Sequence, residues 1–216
     1  MESILGLFVS MLYIGLIIGI ATRLTHLPYE MSRTFAHIMV ANWWLLATWL
    51  IKDYRLALVA PVFFIIFNSL NVVYNWIPAI NTKRRHSNWG TIHYAIAFLL
   101  ITALTFHLPN LHIVGGVGLL VMAYGDGVAA IIGQFFGKHP YTIFKGHKTL
   151  EGSFAMFITS MLVIGIYQLF VYQSFNWMHI GSLALVATLV EAISPHGIDN
   201  LFIPMLVSLL YFILIL

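Results

Sequence analysis

The stretch VMAYGDGVAAIIGQFFG, Val121 to Gly137, carries a single acidic residue, Asp126, between two glycines. It forms the second part of an apolar run, Leu111–Phe136, which is long enough to cross the hydrocarbon core of a bilayer, about 30 Å thick. A charge in hydrocarbon costs at least about 2.5–3.5 kcal/mol and normally faces a cavity or a partner. The stretch therefore predicts a membrane helix whose aspartate has a functional or ionic partner.

The rest of the chain agrees with a membrane location. Of its 216 residues, 61% are hydrophobic and 8% are charged, whereas soluble domains carry about 25% charged residues. Eight apolar runs predict an all-α integral membrane protein, a single transmembrane domain over residues 1–216 with its motifs in 111–216. The runs are Ile4–Thr22, Phe35–Ile51, Leu56–Asn75, Gly90–Thr105, Leu111–Phe136, Ser153–Gln173, Ile180–Ile193 and Leu201–Leu216. The absence of cysteine excludes disulfide and thiolate chemistry.

The basic residues predict the orientation of these runs. Lysine and arginine are enriched in cytoplasmic loops, and eight of the ten basic residues fall in odd-numbered loops: Arg23, Arg33, Lys83, Arg84, Arg85, Lys138, Lys145 and Lys148. These loops are therefore expected at the cytoplasmic face, with both termini outside. This distribution explains the pI near 9.2 without nucleic-acid binding.

In this topology, four acidic residues from four elements lie near the cytoplasmic face: Asp126, Glu151, Glu191 and Asp199. Carboxylate oxygens are the ligands that Mg²⁺ uses in sites that also hold substrate phosphates. We therefore predict that these side chains converge near a bound metal. The alternative for Asp126 is a buried pair with a lysine or arginine.

Small residues recur every four positions beside Asp126, at Gly125, Ala129, Gly133 and Gly137. Such a stripe most commonly allows close helix packing. It could equally let nucleotide phosphates approach the backbone, which makes Gly125, Gly127 and Gly133 candidate nucleotide-binding residues.

The loop GKHPYTIFKGHKTLEGS, residues 137–153, supplies positive charge at the same face. The next helix begins inside this loop, and a helix N-terminus attracts anions. Lysines beside a helix N-terminus suit a triphosphate, although topology alone explains Lys138. The candidate nucleotide-binding residues here are Lys138, Lys145, His147, Lys148, Thr149 and Glu151.

The last motif, ATLVEAISPHGIDNLFIPM, ends one helix at Ser194-Pro195 and begins another at Asp199. Asp199 has an ordinary alternative role as a helix N-cap. Glu191 lies at the end of an apolar helix, where the helix dipole disfavours an acid. A metal or a lysine is therefore the expected partner of Glu191.

Three motifs in order, YGDGVAAIIGQFFGKH, FKGHKTLEGS and VEAISPHGIDNLFIP, resemble the polyprenol kinase family, which includes dolichol kinase, phytol kinase and CTP-dependent diacylglycerol kinase. The resemblance runs from Tyr124 to Pro204 and extends more weakly to Arg33, His37 and the segment around Gly90. It departs from the family at His147, and at Thr34, where relatives often have lysine. Phosphatidate cytidylyltransferases share the middle motif, but their acidic C-terminal cluster is missing after Gly152.

The resemblance implies an enzyme that transfers the γ-phosphate of CTP, or of another nucleoside triphosphate, to a membrane prenol or diacylglycerol, with Mg²⁺ as cofactor. In this reading Asp126 holds the metal with Glu191 or Asp199, and one of these two acids accepts the hydroxyl proton. Lys145 and Lys148 would bind phosphates, Asn200 would steady the metal or the acceptor, and Arg33 and His37 are weaker candidates. A bacterial cell membrane is the expected location. The alternatives are a phosphatidate cytidylyltransferase and a small membrane transporter.

Overall fold

The structure is a computed structural model that describes residues 2–24, 27–77, 89–108, 111–144, 146–173, 175–195 and 197–215. These ranges form nine helices and one short hairpin. The elements are α1 (Glu2–Arg23), α2 (Tyr29–Ala41), α3 (Trp43–Leu50), α4 (Tyr54–Tyr74), α5 (Trp89–Thr105), α6 (Leu111–Phe136), β1 (Pro140–Ile143), β2 (Gly146–Thr149), α7 (Leu150–Tyr172), α8 (Trp177–Ile193) and α9 (Asp199–Ile215). The predicted all-α class is confirmed, with the antiparallel hairpin β1–β2 as an addition to it.

Four of the described helices are long and apolar enough to cross a membrane: Glu2–Arg23, Tyr54–Tyr74, Leu111–Phe136 and Leu150–Phe170. Three shorter apolar helices accompany them: Trp89–Thr105, Trp177–Ile193 and Asp199–Leu214. The chain is therefore a helical membrane protein. The number of eight spans and the outward termini stay predictions.

The predicted run Phe35–Ile51 is divided into α2 and α3 at Asn42. Asn42 keeps right-handed helical dihedrals, φ −64° and ψ −14°, and its N–H still bonds to the Ile38 carbonyl. The chain therefore continues in nearly the same path.

Helices α7 and α8 begin a few residues before their apolar runs, because the polar residues Thr149 and Asn176 cap their first backbone N–H groups.

Helix α6 lies at the centre of the bundle and packs against α2, α5, α7 and α9. Its glycines allow this close packing, since lipid-embedded helices associate through small residues. A Cβ on Gly118 would collide with the Pro204 carbonyl and the Ser208 hydroxyl of α9, and a Cβ on Gly125 would lie 2.5 Å from the Met156 sulfur of α7. The small residues of α6 thus bring the neighbouring helices close to Asp126.

The hairpin connects α6 to α7 and determines where Lys148 lies. Tyr141 pairs with Lys148 in the register of the two strands. Since side chains alternate along a strand, His147 is exposed while Lys148 is half-buried on the other face. Gly146 packs near the Ser194 carbonyl and Pro195, so the hairpin lies against the connection between α8 and α9.

The charged side chains are distributed between two ends of the bundle. Glu2 and Lys52 lie together at one end, with 3.6 Å between Glu2 Oε2 and Lys52 Nζ. The opposite end carries the end of α1, the start of α2 and the hairpin. Segment 78–88, which holds Lys83, Arg84 and Arg85, lies outside the described residues.

Candidate active site: a buried acid–lysine cluster

Three carboxylates from three helices meet at one end of the bundle. Asp126 comes from α6, Glu191 from α8 and Asp199 from α9, and one oxygen of each lies within 4.8 Å of the others. Glu191 and Asp199 are 3% and 4% exposed. The structure therefore brings together three of the four acids that the sequence placed at this face. We call these three residues with Lys148 the acid–lysine cluster.

Lys148 enters the cluster from β2. Its Nζ atom lies 2.5 Å from Glu191 Oε1 and 3.2 Å from Asp199 Oδ2. Burial alone would lower the pKa of the Lys148 ammonium, but the carboxylates of Asp199, Asp126 and Glu191 raise this pKa above its ordinary value. Lys148 is therefore charged, and it compensates one of the three negative charges around it.

The connection between α8 and α9 explains why Glu191 and Asp199 are neighbours. Pro195 cannot continue α8, and Gly197 turns the chain with φ +78°, a conformation that favours glycine. A side chain at Gly197 would also collide with the backbone of Gly90 on α5. The short turn thus places the last turn of α8 beside the first turn of α9.

Sequence reasoning missed Ser153, which contacts the cluster, and Tyr141, which contacts Ser153. The Ser153 hydroxyl lies 3.4 Å from Glu191 Oε2, and the Tyr141 hydroxyl lies 2.6 Å from Ser153 Oγ. Ser153 lies in the first turn of α7, and Tyr141 faces it from β1. The motif FKGHKTLEGS ends on Ser153, but only the packing of α7 against α8 reveals its contact with Glu191.

Asn200 links the cluster to α5. Its Nδ2 group donates to the Gly90 carbonyl at 3.0 Å, and its backbone N–H donates to Asp199 Oδ1 at 3.1 Å. The side chain is 2% exposed, yet its Oδ1 has no hydrogen-bond partner among the described residues. Nearby, His93 Nδ1 lies 3.1 Å from the Gly197 carbonyl oxygen.

A cavity of about 60 Å³ adjoins the cluster, and Asn200 lines it together with Arg33 and His37, the two weaker candidates. Arg33 Nη1 forms an ion pair with Glu30 Oε1 at 2.8 Å, within the first turns of α2. The His37 ring packs against Tyr94, with 4.4 Å between ring centroids. Both candidates therefore lie with Asn200 around this cavity.

The remaining polar candidates lie around the hairpin and outside the cluster. Glu151 Oε1 is 2.6 Å from the ring of His139, and Thr149 caps α7 by accepting the Gly152 N–H at 3.1 Å. His147 is exposed and lies 3.0 Å from Thr142 Oγ1, and Lys138 is exposed. Lys145 lies outside the described residues. Nucleotide binding by these residues stays a prediction.

The three candidate glycines lie against neighbouring elements, two against helices and Gly133 against the last residue of β2. Gly125 packs on α7, Gly127 on Thr34 and Ile38 of α2, and Gly133 on Thr149. These contacts correspond to the helix-packing interpretation of the stripe. A role for the three glycines in nucleotide binding stays a prediction.

The cluster has the chemistry of a divalent-cation site. Three anionic oxygens within 4.8 Å of one another are near the spacing of ligands around Mg²⁺, which binds oxygen at about 2.0–2.1 Å. With all three acids ionised and Lys148 protonated, the cluster has two uncompensated negative charges. Asp126, Glu191 and Asp199 are therefore the described residues that could hold a divalent metal.

The fold and the cluster define a helical membrane protein with a carboxylate–lysine centre near one end. Known proteins are similar to this chain over much of its length. Phytol kinase of Synechocystis sp. is 33% identical over 201 residues, covering 89% of this chain and 84% of the relative. Phytol kinase 1 of Arabidopsis thaliana is 27% identical over 208 residues, covering 85% of this chain and 66% of the relative. A dolichol kinase of Schizosaccharomyces pombe is 38% identical over 96 residues, covering 44% of this chain and 18% of the relative.

The chain belongs to the polyprenol kinase family, to which these phytol and dolichol kinases also belong. The family predicted from the motifs is thereby confirmed. No family model and no solved structure matches the chain.

Proposed function

We propose that the chain is a CTP-dependent lipid alcohol kinase that transfers the γ-phosphate of CTP to the hydroxyl of a membrane prenol at the cytoplasmic leaflet. The observation that supports this most directly is the acid–lysine cluster, in which Lys148 pairs with Glu191 and Asp199, and Asp126 lies beside these two acids. The names of the relatives, phytol kinase and dolichol kinase, support phosphate transfer to an isoprenoid alcohol.

Phosphoryl transfer requires mainly positioning and charge stabilisation, and the cluster has groups for both. Asp126 and Glu191 would hold Mg²⁺, which would supply positive charge to offset the charge of the nucleotide phosphates. Lys148 lies beside both acids and would offset charge on the transferring phosphate. Ser153, through its contact with Glu191, would hold that carboxylate in place.

In the transfer step, the alcohol oxygen forms a bond to the γ-phosphorus while the bond from that phosphorus to the β,γ-bridging oxygen breaks. CDP leaves with the electron pair, and the hydroxyl proton passes to a carboxylate. We assign this proton to Asp199 because its neighbour Asn200 lines the cavity beside the cluster. The products are a lipid phosphate, CDP and a proton on Asp199, which solvent then removes.

The position of the cluster suits a lipid acceptor. It lies near the end of the bundle that carries Arg23 and Arg33, which the distribution of basic residues predicts to be cytoplasmic. CTP would reach it from the cytosol and the alcohol from the bilayer. We propose the cell membrane of a bacterium as the location, since the Synechocystis relative matches over most of both chains.

A double-label assay tests this function. Purified protein in mixed micelles is given Mg²⁺ and either γ-labelled or α-labelled CTP, with phytol, a polyprenol, diacylglycerol or phosphatidic acid. We expect γ-label on phytol or the polyprenol in the organic phase, with release of CDP. Transfer of α-label to phosphatidic acid with release of pyrophosphate would instead make the chain a cytidylyltransferase. Absence of both transfers would contradict an enzymatic role in lipid phosphorylation.

A further inference from the structure

The cavity beside the acid–lysine cluster combines an apolar wall with unsatisfied polar atoms. It has a volume of about 60 Å³ and is bounded by residues of α1, α2, α4, α5 and α9. Ile18 and Phe64 contribute apolar surface, and Ala36 contributes a small side chain from α2. This mixture is typical of sites that bind an amphipathic ligand.

Two buried atoms of the cavity residues lack partners among the described residues. They are Asn200 Oδ1 and His37 Nε2. Buried polar atoms are nearly always hydrogen-bonded, and an unpaired one requires an explanation. Because Asn200 Nδ2 donates to the Gly90 carbonyl, its Oδ1 faces elsewhere and can only accept. A hydroxyl group is a donor that would satisfy it.

The volume restricts which alcohol fits. A cavity of about 60 Å³ exceeds the ~10–15 Å³ that one water requires, so it has room for a hydroxymethyl group and the first carbons of one chain. The carbon that bears the hydroxyl of a diacylglycerol is attached to a glycerol unit with two esters, which is wider. The cavity is also near Asp199, because its lining residue Asn200 directly follows Asp199 in the sequence.

We propose that this cavity binds the hydroxyl end of the acceptor, and that it selects a primary alcohol on a single hydrocarbon chain over diacylglycerol. The proposal rests on the proposed function, because it names the substrate class of that reaction. Before transfer, Asn200 Oδ1 accepts the hydroxyl hydrogen, which passes to the Asp199 carboxylate during transfer, and His37 Nε2–H donates a second hydrogen bond to the hydroxyl oxygen. The tail leaves along Ile18 and Phe64, which are both partly exposed.

Photoaffinity labelling tests the site without nucleotide turnover. A diazirine analogue of farnesol is cross-linked to the purified, unaltered protein, and the labelled peptides are identified by mass spectrometry. We expect label on residues 33–40 of α2 and 64–68 of α4. Free farnesol should compete at about a tenth of the concentration of its methyl ether, because the ether lacks the donor for Asn200. Dioctanoylglycerol should compete as weakly as the ether.

A size variant gives an independent kinetic test. Ala36→Leu narrows the cavity, and Ala103→Leu adds the same bulk at an exposed position of α5. We expect Ala36→Leu to raise KM for the alcohol about 10-fold at saturating CTP and to leave KM for CTP unchanged at saturating alcohol. Ala103→Leu should change neither. If Ala36→Leu does not fold, Ala36→Val makes the same test with less bulk.

The outcomes separate this inference from the proposed function. Equal competition by farnesol and its ether, or label confined to the apolar groove of Leu104, Met205 and Phe212 between α5 and α9, would overturn the inference even if the protein phosphorylates a lipid alcohol. Label in the cavity with the expected competition would support the inference even if the double-label assay shows no transfer.

Discussion

Lys148 and Glu191 are 43 positions apart in the sequence, and their Nζ and Oε1 atoms lie 2.5 Å apart. Glu191 ends an apolar helix, where the helix dipole disfavours an acid, and the Lys148 ammonium offsets that cost. Removing one partner of such a buried pair leaves an uncompensated charge, which typically costs about 3–5 kcal/mol. The pair therefore links the stability of the protein to residues of the proposed site.

A double-mutant cycle separates the two roles of this pair. We expect Lys148→Met to lower the thermal unfolding temperature and the addition of Glu191→Gln to recover part of the loss, because one of the carboxylates that Lys148→Met leaves unpaired is then removed. Activity should stay low in both variants, even where stability recovers. Additive effects on unfolding temperature would show that the two side chains do not interact.

Lys148→Ala should also weaken nucleotide binding. Among the described residues of the cluster, Lys148 carries the positive charge that would offset the charge of the phosphates. We expect KM for CTP to rise at least about 10-fold with a lower kcat. Lys52→Ala removes an exposed lysine from the opposite end of the bundle and should behave as the unaltered protein. Unchanged kinetics in Lys148→Ala would remove it from the nucleotide site.

Asp126→Asn should abolish transfer and leave the fold intact, since it keeps the side-chain volume and removes one anionic ligand. We expect kcat to fall at least about 100-fold, with an unchanged elution profile in detergent. Asp53→Asn is the matched control, because Asp53 caps α4 and asparagine caps helices equally well. Retained activity in Asp126→Asn would contradict the metal assignment.

Mg²⁺ should stabilise the protein in the absence of nucleotide, because it would neutralise the two uncompensated charges of the cluster. Binding at a concentration of 100 times Kd adds about 2.7 kcal/mol to the free energy of unfolding. We expect Mg²⁺ to raise the unfolding temperature, EDTA to reverse the rise, and Asp126→Asn to abolish it. An equal shift in Asp126→Asn would place the metal elsewhere.

Close packing of α6 should be sensitive to glycine substitution. Gly118→Leu would force a side chain into Pro204 and Ser208 of α9, and such overpacking typically costs about 1–3 kcal/mol. Gly15→Leu makes the same change where no atom lies within 4 Å of the added Cβ. Thermal unfolding in detergent should separate the two variants. Equal unfolding temperatures of the two variants would mean that α6 and α9 can move apart without a loss of stability.

Because the chain has no cysteine, single-cysteine variants test the orientation directly. We expect Lys138→Cys to react with an impermeant maleimide only after the membrane is opened, and Lys52→Cys to react in intact cells. The reverse pattern would place the acid–lysine cluster on the outer face.

The apolar runs were sufficient to predict the helical membrane class, because bilayer spanning requires long segments with internally satisfied backbone hydrogen bonds. Helix α6, Leu111–Phe136, has the bounds that its apolar run predicts. The three motifs also indicated the family. Both properties depend on consecutive residues along the chain, so one sequence contains the information for them.

The partners of the charged residues depend on packing between distant segments. The structure brings together the carboxylates of Asp126, Glu191 and Asp199. Glu151 has the same charge and was predicted at the same face, but it pairs with His139, which directly precedes the hairpin. The hairpin brings Lys148 to Glu191, and the packing of α7 on α8 brings Ser153 there. The cavity at Asn200 likewise forms from five helices. Such contacts arise from the close approach of helices around the small residues of α6, and spacing along the sequence does not encode distances between helices.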